Sequence, residues 1–364
     1  MGEIRSADLV AFYLFDVAEA IDLTSIQRLI GGPATAARLS PKPVTPPYLQ
    51  YEKPPVSFDG AAVGVAEMDG FRVRVRAYDY GVLSLALTCA FSGSWPDLMR
   101  VGQSLVENEE LEQRAEGMCR SIVERLGPAL TSHRDIHLSE DYLVYVVHEL
   151  DTPQSAADMI ATHGGDIAAM LRGERQELSV DERDHILRHR ISYLADDLVV
   201  PTWNAAFVMD TPAGAQAALE ILEFANSQLL EFRYYDERLD NELVSIYADL
   251  QRPRWYDQWV GSRHRRAARR VHALFVEVSD VTDRTKNALK LTGDAYAARL
   301  FTLTSERLGL GAWKSDVEDK LKTLDDIYRF AVEQAGMSRG QLLEMTIVLI
   351  LIFELLLVFL GVMT

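Results

Sequence analysis

Cysteine is nearly absent. The 364 residues hold two, Cys89 and Cys119. They lie far apart and form no C-x-x-C pair, which excludes a disulfide scaffold and fits a reducing compartment. Positive charge is in deficit too: 37 Lys and Arg face 54 Asp and Glu, a net −17. That excludes a chain that coats nucleic acid along its whole surface. Catalytic motifs are missing. There is no G-x-S-x-G, no G-x-x-x-x-G-K-[ST], no G-x-G-x-x-G after a strand and no H-E-x-x-H. The N-terminal residues carry no signal-peptide pattern, since Asp16 and Glu19 interrupt the apolar stretch. Long hydrophobic runs are missing until the C-terminus. What remains is 48% apolar and 25% charged, ordinary globular values that exclude disordered and fibrous classes.

The N-terminal half reads as strands and helices in alternation. Residues 8–15 and 142–148 have strand character, and 22–30 a short helix. Residues 72–76 alternate Arg-Val-Arg-Val-Arg, which predicts a strand with one wet face. Asp79-Tyr80-Gly81 predicts a turn into a second strand at 82–91, together a hairpin. Residues 94–127 carry one long amphipathic helical pattern. Helices are predicted at 155–172 and 180–193, with strand character returning at 197–209. Six of the 13 prolines fall at 41, 43, 46, 47, 54 and 55, which reads as a stiff surface loop. The fold class is therefore α+β (or α/β) around a small mixed sheet.

After Thr211-Pro212 the pattern is helical. Leu219, Leu222, Ala225, Leu229 and Phe232 lead a helix to Leu250. Val271, Leu274, Val278, Val281, Thr285 and Ala288 follow at heptad spacing. Val317, Leu321, Leu324, Tyr328, Ala331 and Ala335 step by 4, 3, 4, 3, 4, a coiled-coil seam. A helical hairpin packing on itself and an intermolecular coil fit this seam equally. Gly309-Leu310-Gly311 reads as a helix-to-helix turn, not a phosphate loop.

Residues 345–363 read MTIVLILIFELLLVFLGVM, with Glu354 the single ionisable residue. Residues 341–363 predict a transmembrane helix. The expected organisation is an α/β domain at 1–210, a helical hairpin or coiled-coil domain at 211–338, and this C-terminal anchor. A single-pass, tail-anchored protein follows, its bulk cytoplasmic, at the inner membrane if bacterial. Arg339 before the span agrees with that orientation. A carboxylate at mid-membrane costs about 2.5–3.5 kcal/mol on insertion scales. Glu344 and Glu354 are therefore read as membrane or oligomer-interface residues, with Glu354 facing another copy.

Two further clusters stand out. Residues 251–270 hold seven arginines, among them Arg263, Arg265, Arg266, Arg269 and Arg270, against the single Asp257, with Trp255, Tyr256 and Trp259 interleaved. Arginine among aromatics suits an anionic partner, RNA or a ribosome on one reading and anionic lipid on another. Neutralising the chain's own acidic face is the bland alternative. The pairs His133/His137 and His185/His189 have usable metal spacing if helical, but neither segment supplies a third ligand. No metal, cofactor or catalytic residue is expected.

The segment Leu343-Glu344-Met345 through Phe353-Glu354-Leu355 resembles the C-terminal signature of the Rmd-type family of unknown-function proteins, named for meiotic nuclear division and sporulation. That signature is Leu-Glu, an apolar residue, a run of Ile and Leu, and a second Glu ten residues after the first. Ala77-Tyr78-Asp79-Tyr80-Gly81-Val82 and Leu229-Leu230-Glu231-Phe232-Arg233-Tyr234-Tyr235 are similar to its upstream motifs. Ser192-Tyr193-Leu194-Ala195-Asp196-Asp197 departs from the family's usual Ser-His-Ala-Leu-Ala-Gln. The resemblance implies an α/β domain, a helical segment and a membrane helix, with eukaryotic relatives linked to organelle translation and sporulation. The combined expectation is a non-enzymatic, homo-oligomeric scaffold or tether at a membrane. An oligomeric channel or transporter with Glu354 in its pore is the alternative.

Overall fold

The computed structural model describes residues 3–30, 35–36, 54–64, 68, 70–106, 108–136, 138–174, 176–251, 273–279 and 295–359. The chain divides into two compact units, Met1–Tyr234 with Asp283–Trp313, and Tyr235–Thr282 with Lys314–Thr364.

The first unit is mixed α+β. Its strands are β1 (Ile4–Asp16), β2 (Ala18–Ile21), β3 (Thr35–Ala36), β4 (Val56–Asp59), β5 (Arg72–Ala77), β6 (Val82–Gly93), β7 (Leu130–His133), β8 (Ser139–Leu150), β9 (Leu198–Pro201) and β10 (Ala205–Met209). Eight form one sheet in the order β3-β4-β5-β6-β1-β8-β10-β9, and β2 and β7 form a separate pair. The sheet is larger than the small one expected. It is mixed, because β8 and β10 run parallel while the other neighbours run antiparallel.

Alternation sorts the strands into two faces. Leu9, Ala11, Tyr13 and Phe15 of β1 join Leu83, Leu85, Leu143, Tyr145 and Phe207 in a continuous apolar core. Covering this face are α1 (Leu23–Ile30), α2 (Trp95–Val106), α3 (Glu109–Leu126), α4 (Ala156–Arg172) and α5 (Val180–Arg188). The expected single helix over 94–127 is two helices. Asn108 accepts from the Leu111 backbone N–H at 3.0 Å and so caps a new start. Ser155 and Asp158 make a reciprocal capping box that fixes the start of α4.

The other face meets α6 (Pro212–Gln251), whose residues 218–232 are buried on every side. Phe224 of α6 stacks obliquely on Phe301 of α7 (Ala295–Arg307), ring centroids 5.5 Å apart. Gly309, at φ +69°, then turns the chain into α8 (Leu310–Phe359), as a helix-to-helix turn requires.

In the second unit, Lys320 of α8 bonds Asp236 and Asp240 of α6, both at 2.7 Å. Arg238 pairs with Glu277 in the helical stretch 273–279. Val317, Leu321 and Leu324 of the expected seam are buried within the chain itself. This part of the seam therefore packs as an intramolecular helical assembly. Val271, Val281, Thr285 and Ala288 of the earlier heptad run lie outside the described residues.

The membrane expectation is corrected. Among the described residues no helix is long and apolar enough to cross a membrane. The terminal run is the distal end of α8, whose earlier turns carry Lys314, Asp316, Glu318, Asp319, Lys320, Lys322, Asp325, Asp326 and Arg329. The tail anchor, the single-pass topology and the inner-membrane placement fall with it.

Candidate functional site

The arginine strand is where the structure departs most from a simple alternation. The arginine face of β5 is wet at Arg72 and progressively covered toward Arg76, with Arg74 a third exposed. Arg76 is 3% exposed, because α6 lies over it. The guanidinium bonds Ser57 Oγ through Nε at 2.9 Å and Glu220 Oε1 through one terminal nitrogen at 3.2 Å. Its other terminal nitrogen is 2.9 Å from Glu223 Oε2. Arg74, two residues back on the same face, donates to Gln216 Oε1 at 3.2 Å. Gln216 in turn donates to Glu220 Oε1 at 3.0 Å.

This layer continues along the helix. Tyr80, in the turn after β5, lies 2.6 Å from Ser227 Oγ. The Ser227 hydroxyl donates to the Phe224 carbonyl at 2.7 Å, so Tyr80 is the donor between the two. Burial pushes the Tyr80 phenol well above its ordinary value and keeps it in that donor form. Further on, Arg134 places one nitrogen 2.7 Å from both carboxylate oxygens of Asp16. Its guanidinium sits 3.9 Å from the centre of the Tyr234 ring. Burial works against the Arg134 charge, but Asp16, Tyr234 and Glu231 more than offset it and hold the group above its usual range. Arg233 pairs with Glu140 at the start of β8, where burial pushes the Glu140 carboxyl up against the pull of that arginine.

The α6 partners fall at 216, 220, 223, 227 and 231, steps of 4, 3, 4 and 4. They form one stripe on the helix. Chemically, the stripe joins two layers by charge-assisted hydrogen bonds. Its carboxylates are engaged by guanidinium groups in a packed interior. Among the described residues, Glu220 Oε2, Glu223 Oε1 and Ser84 Oγ have no hydrogen-bond partner. Ser84 stands directly opposite Arg76 in the β5–β6 register.

The residues singled out from sequence lie elsewhere. Arg263, Arg265, Arg266, Arg269 and Arg270 fall outside the described residues. Glu344 and Glu354 lie on α8, and their side chains are outside the described residues. His185 lies in the last turn of α5 and His189 is the residue that caps its C-terminal end, their rings 5.5 Å apart and edge-on. Among the described residues no group of His, Cys, Asp and Glu is arranged to hold a metal ion. His133 sits at the end of β7 with Nδ1 3.1 Å from the Val17 carbonyl oxygen, and His137 is outside the described residues. The buried stripe was missed because only the apolar periodicity of α6 was followed. A polar periodicity displaced by one or two positions, set against alternating arginines upstream, was the available signal.

A protein of Methanocaldococcus jannaschii described as "Uncharacterized protein MJ0711" is 24% identical over 218 residues, 60% of this chain. The alignment covers 65% of that relative, less than two thirds of its length. No solved structure matches at a significant level. Residues 6–216, from β1 to the first turns of α6, match the family described as "Uncharacterized protein MJ0711, N-terminal domain". That match takes in more than half of the chain, and the chain belongs to this family.

Proposed function

We propose that the protein is a non-enzymatic, homo-oligomeric scaffold. The observation that supports this is at the end of α8. Residues 347–352 are six consecutive apolar or β-branched side chains, each between 52% and 60% exposed. Six residues of helix turn through all directions, so this is not one face of an amphipathic helix. Exposed apolar surface of this kind marks an interaction site, and a second copy brings an identical apolar stretch to cover it. Native mass spectrometry of the full chain in a mild solubilising buffer is expected to show a multimer. Leu349→Asp with Ile352→Asp is expected to convert it to monomer. A wild-type chain that is strictly monomeric at micromolar concentration would remove the proposal.

The arginine segment gives the scaffold its partner, RNA, and the Rmd-type resemblance points to a setting in translation or cell differentiation. Charge reversal at Arg265 and Arg269 is expected to weaken binding to single-stranded RNA. It is also expected to flatten the salt dependence by about 0.7 in log–log slope per lost phosphate contact. Filter binding over a salt series measures both. Equal affinity and slope for wild type and variant would rule the RNA partner out.

A further inference from the structure

Arg307 closes α7 and stands apart from the other cations of this acidic chain. Among the described residues, every other buried or half-buried arginine and lysine pairs with a carboxylate. Half-buried Arg307 pairs with none, and its Nε is buried without a hydrogen bond. Thr304, one turn earlier and 0% exposed, also has a buried hydroxyl with no partner. Tyr296, Leu300 and Thr304 form the buried stripe of α7, and Arg307 continues it, in steps of 4, 4 and 3. A basic residue in a last turn suits the negative helix end, but the carbonyls there are already taken. Leu308 donates to the Thr304 carbonyl at 2.9 Å and Gly309 to the Glu306 carbonyl at 3.2 Å. Arg307 is therefore not the cap. A half-buried guanidinium without a counter-charge is costly, so the position selects for an anion.

The surroundings narrow the class of anion. Two residues past Arg307, Gly309 turns the chain into α8. The first N–H groups of a helix have no intrahelical acceptor, and α8 opens on Leu310 and Gly311 with no acidic side chain in its first turn. A Cβ on Gly309 or Gly311 would meet nothing within 4 Å, so the backbone there is open to close approach. A helix start favours phosphate, and the guanidinium fork matches phosphate oxygens. On the sheet side, burial pushes the Tyr142 phenol up and the Arg307 charge pulls against it. Glu140, in line with Tyr142 on β8, is already engaged by Arg233. Tyr142 donates to the Thr202 carbonyl at 3.0 Å and the Ala205 carbonyl at 2.8 Å, at the two ends of the β9–β10 turn. The Thr202 hydroxyl braces the same turn, accepting from the Ala205 N–H at 3.2 Å. Trp203 stands at the apex, 60% exposed, and a held indole gives a base a face to stack on. We propose that Arg307 and the first amides of α8 take a phosphate group and Trp203 the base attached to it, so that this corner of the first unit binds a nucleotide. The corner lies outside the arginine segment 251–270, and a mononucleotide probe tests it whether or not that segment binds RNA.

Titration of the nitrogen-15-labelled full chain at constant ionic strength tests the site. Inorganic phosphate is expected to shift the Leu310 and Gly311 amide resonances with a midpoint of about 1 mM, the weak end of the affinity scale. These resonances are local, so phosphate held elsewhere on the chain does not count. Adenosine monophosphate is expected to bind about tenfold tighter, the scale of one stacked base, and to shift the Trp203 indole N–H as well. Trp203→Ala is expected to lose that tenfold and keep phosphate binding. Arg307→Gln is expected to weaken both ligands by about tenfold or more while melting where the wild type does, since the guanidinium holds no partner in the fold. A single-stranded RNA octamer separates the two sources of nucleotide. Tighter, Arg307-dependent binding of the octamer assigns the site to a strand, and binding equal to the mononucleotide assigns it to a free nucleotide. Wild-type resonances unmoved by about 10 mM phosphate, an equal response to acetate, a nucleotide no tighter than phosphate, or unchanged binding in Arg307→Gln would each overturn the inference.

Discussion

Arg76→Met is expected to lower the unfolding free energy by about 3–5 kcal/mol, the scale for removing one partner of a buried ion pair. The substitution keeps much of the side-chain volume and deletes the charge. Glu220 and Glu223, 6% and 0% exposed, then face each other's charge with no buried guanidinium between them. Arg74 reaches Glu223 only at 3.9 Å and is itself a third exposed. The loss should therefore come from stranded carboxylates, not from lost packing. Adding Glu220→Gln and Glu223→Gln is expected to recover a large part of it, since the triple variant buries no unpaired charge. Urea unfolding followed by circular dichroism measures the series. A loss below about 1 kcal/mol for the single variant, the scale of an exposed pair, would show that the arginine is solvated.

Gly81→Ala is expected to cost about 2–5 kcal/mol, combining a left-handed backbone penalty of about 1–2 with about 1–3 for forced overpacking. Gly81 holds φ at +98°. A Cβ there would stand 1.8 Å from the Ala18 carbonyl oxygen. That neighbour is backbone, so no side-chain rotation relieves the clash. The turn is also tied on both sides: Val17 donates to the Gly81 carbonyl at 3.0 Å and Ile21 to the Asp79 carbonyl at 2.9 Å. Moving the turn would pull β2 with it. Thermal unfolding of the variant reads the cost, and a melting temperature equal to wild type would show that the turn relaxes freely.

Local pattern made much of the first unit legible. The β5–β6 hairpin, α1, α4 and the helix after Pro212 follow from alternation, caps and turn residues. So does the Gly309 turn, which only glycine makes cheaply. The break between α2 and α3 was missed because the apolar period continues through it, and only the cap at Asn108 marks it. The extent of the sheet was underestimated because its edge strands are two to four residues long, too short for a period to show. The wet face assigned to β5 held at Arg72 and failed at Arg76 for a different reason. Alternation says which side chains share a face but not what covers that face, and the cover arrives 140 residues later in α6. The terminal run was read from hydropathy alone as a membrane span, which the described helices do not support.

The stripe on α6 has a geometric consequence. A helix buried all round, as residues 218–232 are, gains nearly the same apolar contact at many rotations about its axis. Each residue turns the helix by about 100°, and so a slip of one position would swing Glu220 and Glu223 away from Arg76 into hydrocarbon surroundings. The ion pairs therefore act as an angular key. They exclude wrong azimuths more than they add adhesion, and a chain stripped of them should retain its helix while losing a unique seat for it.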